Sequence, residues 1–329
     1  MSSARPSLAI VIHTEEEFDW NGGFFRSNNK VTHGKKLTEF CEKLIEAGAK
    51  ITFALDYAFV DSAEGQKVIA HFKEHHYNQV EFATHLHPWV NPPFTENNDG
   101  KDEVSNDKSY PGNLTKELEY QKLKTLTDKI TDLCGTPPIT YLAGRYGIGD
   151  NTNDILQKLG YNIDVSISPF TDFSHQQGPN FSAFNNDITI KNGIINWPHT
   201  TAILSAFGFI AAFFNNKPAK FEQWQKRPLS KLLMKLLRIK RQRLSPEGFA
   251  LADLKKITNT QLTLGQKSFI FSFHSPSVQA GLTPYVKTPA DEAAFFQTTV
   301  DYIKWFEQSC NGQATLIKAE LEKYDNARA

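Results

Sequence analysis

Residues 8–13 form a short β-branched run, and residues 35–49 then place Leu37, Phe40, Cys41, Leu44 and Ile45 at helical spacing ahead of Gly48. Together they predict a βα unit. The alternation recurs, with strands expected over 51–55, 79–84, 139–142, 163–167, 193–197 and 269–274 and helices over 64–75, 114–133, 151–159 and 290–309. A chain that alternates in this way builds an α/β fold, a parallel sheet with crossover helices, either open or closed into a barrel. The longest apolar run, 201–214, falls short of the roughly 20 residues needed to span a bilayer and reads as a buried helix or a strand and turn.

In both architectures ligands bind where the strands end at their carboxyl side, because rigid strands there present converging loops. That rule selects residues 13–17, 84–89, 143–147 and 274–276. Two irregular stretches rich in Asn, Asp, Gly, Pro and Ser, 91–113 and 172–186, are long enough to be lids over such a site or disordered segments. One domain over 1–329 is expected, carrying a basic helical insertion around 217–247.

Charge narrows the partners. Lys plus Arg and Asp plus Glu both number 36, so no overall field favours nucleic acid. Locally, residues 226–243 carry Lys226, Arg227, Lys231, Lys235, Arg238, Lys240, Arg241 and Arg243 around Leu232, Leu233, Leu236 and Leu237. The expected arrangement is a surface helix with its leucines in the core; the other is a helix lying on an anionic membrane, as would suit a lipid-linked glycan substrate. Cys41, Cys134 and Cys310 are far apart and odd in number, and the N-terminus has no secretory apolar segment, so reduced thiols and a cytoplasmic location are expected.

Four features at the strand ends carry candidate chemistry. Glu15, Glu16 and Glu17 offer hard oxygen ligands or a solvated turn. His85 and His87, two apart on an extended backbone, project to the same side, and with a carboxylate they make the three-ligand set of a catalytic zinc site. His274 is a candidate general acid and Arg145, between Gly144 and Gly147, a candidate for orienting substrate or a ligand. Trp89, Tyr146, Trp197 and Tyr285 are candidates for stacking on sugar faces.

These runs resemble the polysaccharide deacetylases with a NodB-type domain, in particular a WalW-like subgroup. The likeness is carried by Thr14-Glu15-Glu16-Glu17-Phe18-Asp19-Trp20, His85-Leu86-His87-Pro88-Trp89, Ser109-Tyr110-Pro111-Gly112-Asn113, Ala143-Gly144-Arg145-Tyr146-Gly147 and Phe273-His274-Ser275-Pro276, in order along the chain. The resemblance implies a distorted (β/α) barrel, a divalent metal, Zn²⁺ first, and hydrolysis of acetyl groups on sugars. By position Glu15 is the acidic ligand and His85 the first histidine. Trp89 occupies the position of the family's second histidine, which leaves His87 as the substitute. His13 stands where the family has an aspartate base, and Leu142 where it has an arginine that holds that base. With no aspartate to orient, a buried arginine would be an unpaired charge, so leucine is its natural companion.

The function expected from residues and resemblance together is a metal-dependent de-N-acetylase of a sugar or glycan intermediate. Glu15, His85 and His87 would hold the metal, His274 would be the acid and His13 the base. The alternative is a catalytically impaired carbohydrate-binding or scaffold protein. A glycoside hydrolase would need two carboxylates roughly 5 to 9.5 Å apart across the pocket, and acids cluster only on the first loop.

Overall fold

A computed structural model describes residues 5–95 and 101–321. Part of the irregular stretch expected over 91–113, residues 96–100, and the chain ends lie outside the described residues. In chain order the described strands are β1 (Ser7–Thr14), β2 (Phe24–Phe25), β3 (Ile51–Leu55), β4 (Val80–Leu86), β5 (Glu103–Val104), β6 (Thr140–Ala143) and β7 (Ile163–Asp164). They continue with β8 (Thr189–Lys191), β9 (Ile194–Asn196), β10 (Thr201–Leu204), β11 (Lys240–Arg243), β12 (Ser268–His274) and β13 (Gln313–Thr315).

The main sheet runs β12-β1-β3-β4-β6-β7-β9-β8, parallel except for β8 against β9, with β13 beside the start of β1. It ends on β12 and β8, so among the described residues it is a curled, incomplete barrel rather than a closed one. Side-chain alternation separates its faces. Leu8, Ile10 and Ile12 of β1 join the large core under the helices, whereas Ala9 and Val11 face the other way, with Ala54 and Ala83 on β3 and β4. Small alanines on three successive strands give the sheet room to bend toward that side. The bend lets a residue after β1 meet residues at the end of β4, two strands away.

Helices cross back over the outer face. Gly34–Glu46 buries Leu37, Phe40, Cys41, Leu44 and Ile45, the stripe its spacing predicts. Lys116–Cys134 starts at Thr115, whose hydroxyl accepts from the Leu118 N–H, and ends at Gly135 in a left-handed conformation, φ 82°. Pro289–Cys310 begins with a reciprocal cap between Thr288 and Asp291.

Two expectations are corrected. The basic run is not one helix: Pro218–Lys226 and Pro228–Leu236 are separate helices, and residues 240–243 turn into β11, antiparallel to β10. Three of its four leucines are not in the core, since Leu232, Leu233 and Leu236 are 59%, 41% and 71% exposed, as is Leu229 at 85%; only Leu237 packs, partly buried, against a core cluster. The run 201–214 divides into β10 and the helix Gly208–Asn216. No helix among the described residues is long and apolar enough to cross a membrane.

Candidate active site

The carboxyl ends of β1, β4, β6 and β12 meet around a cleft of about 470 Å³ lined by His13, Glu15, His85, His87, Arg145 and His274, together with several aromatic side chains. Register explains the convergence. His13 pairs with His274 across β1 and β12, and His85 with Leu142 across β4 and β6. The loop after β1 then hands its three glutamates to three different neighbours.

Glu15 faces the histidine pair. Its Oε2 lies 3.2 Å from His85 Nε2 and 3.5 Å from His87 Nε2. The other ring nitrogens are already committed, because His85 Nδ1 lies 3.1 Å from the Leu142 carbonyl oxygen and His87 Nδ1 lies 2.9 Å from Glu16 Oε2. Both of those partners are acceptors, so in the neutral rings each Nδ1 is the donor and each Nε2 presents a lone pair. Burial lowers the pKa of both histidines, outweighing the opposing charge of Glu15, and favours the neutral rings. Burial works against ionisation of Glu15 too, but His274, His85 and His87 hold its pKa below the ordinary value. Two imidazole lone pairs and a carboxylate therefore point at one spot, an arrangement that favours a cation at its centre. The three donor atoms all lie within 4.8 Å of one another.

A second layer fixes this set. Glu16 accepts from both His87 Nδ1 and Trp89 Nε1, the latter at 2.8 Å, and the Trp89 ring stacks on His87 with centroids 4.2 Å apart. Asp56, directly after β3, places Oδ2 3.7 Å from His87 Nδ1. Burial pushes Glu16 up to about 7, and burial with the charge of Glu16 pushes Asp56 well above the usual carboxylate range, so ionising both together is disfavoured. Glu17 turns away, toward Thr32 and Lys30. Gly144 is required by close approach: a Cβ there would collide with the Leu86 carbonyl oxygen and the His87 ring.

On the other side, His274 Nδ1 donates to Glu247 Oε2 at 2.9 Å, and Glu247 also accepts from the His274 N–H and from Ser277 Oγ. Burial alone would lower the His274 pKa, but Glu247 and Glu15 raise it. His13 lies between His274 and His85, with ring centroids 4.7 and 5.0 Å away. Burial and those neighbours drive its pKa well below the ordinary value, leaving a neutral imidazole.

Arg145 and Tyr146 both adopt positive φ, 55° and 59°. Arg145 reaches no carboxylate among the described residues; it donates to Asn106 Oδ1 at 3.0 Å, to Ser109 Oγ and to Gln176 Oε1 at 2.7 Å, and lies 3.9 Å above the Tyr110 ring. Its role here is to tie two loops together over the cleft. Tyr146 lines the cleft and its hydroxyl accepts from Arg243.

The aromatic candidates divide. Tyr285 is 38% exposed at the rim, beside Trp20 at 37%, with centroids 5.6 Å apart. Trp89 borders the cleft, but its ring is largely spent on His87 and Glu16. Trp197 is corrected: it is fully buried in the core on the concave side of the sheet and presents no face to a ligand. Sequence reasoning missed Glu16 as a partner of His87, and also Asp56, Trp20, Arg243 and Glu247. Asp56 follows a strand and the strand-end rule could have found it, whereas Glu247 lies in a loop with no periodic signal.

Among solved structures the fold is similar to that of a protein assigned as a polysaccharide deacetylase from Mycobacterium smegmatis, at 10% identity, over 100% of this chain and 93% of that one, with a TM-score of 0.50. It is also similar to a 4-alpha-glucanotransferase from Thermococcus litoralis, at 10% identity, over 97% of this chain but only 40% of the other, TM-score 0.53. A GH57-type branching enzyme from Pyrococcus horikoshii matches at 9% identity, over 97% of this chain and 70% of the other, TM-score 0.51. No family model matches the chain, and no curated protein does. At these identities the shared property is the fold, a curled α/β sheet.

Proposed function

We propose that this protein is a metal-dependent hydrolase that removes acetyl groups from an N-acetylated sugar or glycan intermediate. The observation that carries the reading is the convergence of Glu15 Oε2, His85 Nε2 and His87 Nε2, each ring oriented through its other nitrogen. One carboxylate and two imidazoles suit Zn²⁺ or a similar divalent ion, which when bound supplies Lewis acidity toward an acetyl carbonyl and toward water.

The remaining groups have separable tasks. His274 carries its Nδ1 proton on Glu247, and its raised pKa favours a proton at Nε2, facing the cleft, for the leaving nitrogen. His13, held neutral, offers a lone pair to accept a proton from water. Trp20 and Tyr285 give the rim two aromatic faces for a pyranose ring. The glycoside hydrolase reading fares worse. Glu247, the carboxylate on the far side of His274 from Glu15, spends its oxygens on His274 and Ser277 and does not line the cleft.

The test combines metal analysis of the purified protein with acetate release from a panel of N-acetylated sugars. Stoichiometric metal, lost in the His85→Ala, His87→Ala double variant, and acetate release abolished by His13→Ala are the expected results. Metal binding unchanged in the double variant sinks the site. Stoichiometric metal with no acetate released from any sugar selects a binding protein instead.

A further inference from the structure

The helical segment between β10 and β11 has an unusual surface. Thirteen large apolar residues are exposed among the described residues, and seven of them fall between 207 and 236. Leu229, Leu232, Leu233 and Leu236 recur at the i, i+3, i+4, i+7 spacing of one helical stripe. An amphipathic helix normally turns such a stripe into the core, yet Met234 is the one residue of Pro228–Leu236 that is buried. The Ala206 N–H donates to the Leu237 carbonyl at 3.1 Å, which brings Phe207 and Phe209, 48% and 75% exposed, next to the end of the stripe.

Charge says what covers this face. Between 217 and 240 there are eight Lys and Arg residues and one acid, Glu222, in a chain whose charges balance overall, so the patch is set against an acidic remainder. All eight cations are exposed. Glu222 pairs with Lys226, and Lys240 lies 3.6 Å from Asp253. Arg227, Lys231, Lys235 and Arg238 reach no carboxylate among the described residues. An apolar stripe flanked by unpaired cations matches the boundary between acyl chains and anionic headgroups. β11 connects this face to the catalytic cleft, because Arg243 at its end lines the cleft and Lys240 at its start belongs to the patch.

We infer that residues 207–240 form an interfacial docking face for an anionic lipid bilayer and hold the cleft near the membrane surface. The leucines and phenylalanines enter the headgroup boundary, and the lysines and arginines meet lipid phosphates. The inference does not depend on the deacetylase reading, because its test involves no catalysis.

Co-sedimentation of the whole protein with vesicles of phosphatidylcholine alone, or with added phosphatidylglycerol, tests it alongside two variants, Leu232→Ser with Leu236→Ser, and Lys231→Gln with Lys235→Gln. All four positions are exposed, so unchanged melting is expected. Binding should require phosphatidylglycerol, weaken at high salt, and fall by about tenfold or more in each variant. Failure to bind, equal binding to both vesicle types, or binding indifferent to the leucine pair overturns the inference. So does a dimer in the absence of vesicles that the leucine pair abolishes, which would assign the face to a second copy of the chain.

Discussion

Glu247 sets how His274 behaves. Burial opposes a charged imidazole there, and the Glu247 carboxylate on Nδ1 reverses that tendency. Glu247→Gln removes the charge but keeps an acceptor, so the His274 pKa should fall. If His274 acts as an acid, the high-pH limb of the rate profile should move to lower pH by about one unit or more, with the low-pH limb less affected. Histidine NMR titration reads the same shift without turnover; an unmoved His274 resonance would remove Glu247 from the mechanism. On the opposite wall, Trp89→Phe keeps a ring on His87 but deletes the N–H that Glu16 accepts. Partners one layer behind a metal ligand are worth roughly 10- to 100-fold in affinity, and this N–H lies one layer further back, on Glu16, so metal affinity measured by chelator competition should drop by less than that range.

Single elements also hold charges that the fold tolerates poorly. Glu119, in the helix Lys116–Cys134, accepts from Thr152, while its other oxygen has no partner among the described residues. Burial, and less so the charge of Asp164, pushes its pKa up to about 7 from 4.5. The folded state thus holds a proton that the unfolded chain has lost between those values, so stability declines as pH rises through that window and then levels off. Glu119→Gln should erase that dependence, leaving the variant more stable at pH 8 by at most roughly 3 kcal/mol and indistinguishable near pH 4. Denaturant melts at the two pH values decide it.

The same elements show how far sequence carries. β1, β3, β4 and β12 were legible as short apolar runs, and the helix Gly34–Glu46 buries the stripe its spacing predicts. His85, His87 and His274 stood out by their places at strand ends, which also marked the cluster Glu15, Glu16 and Glu17; only the resemblance singled out Glu15. The helix Leu251–Thr263 was not expected, and the 226–243 run was misjudged because spacing identifies a stripe but not whether protein or solvent faces it. Trp197 and Glu247 failed for a related reason: one-dimensional position near a strand end does not say which face a side chain takes, and a loop acid has no period to announce its partner.

At the scale of the whole molecule, the incomplete barrel leaves one side of the cleft to be closed by loops rather than by strands. Arg145 is the point where those loops meet. From the end of β6 it bonds to Asn106 and Ser109 in one loop and to Gln176 in the other, over the Tyr110 ring. The guanidinium is charged, so each bond to a neutral partner is worth roughly 1.5–3 kcal/mol before solvent exposure reduces it, and a lysine in its place keeps the charge, so that substitution costs only modest global stability. It should nevertheless free both loops, because a lysine has no planar fork to span them. Arg145→Lys is therefore expected to speed amide exchange over 105–113 and 173–178 while β1 and β4 exchange as before. KM for an accepted substrate should rise several-fold with kcat less affected, since the proposed metal ligands and His274 sit at the ends of strands that the substitution does not touch. Unchanged exchange in both loops, or a loss confined to kcat, would place Arg145 at the reacting atoms instead of at the closure of the cleft.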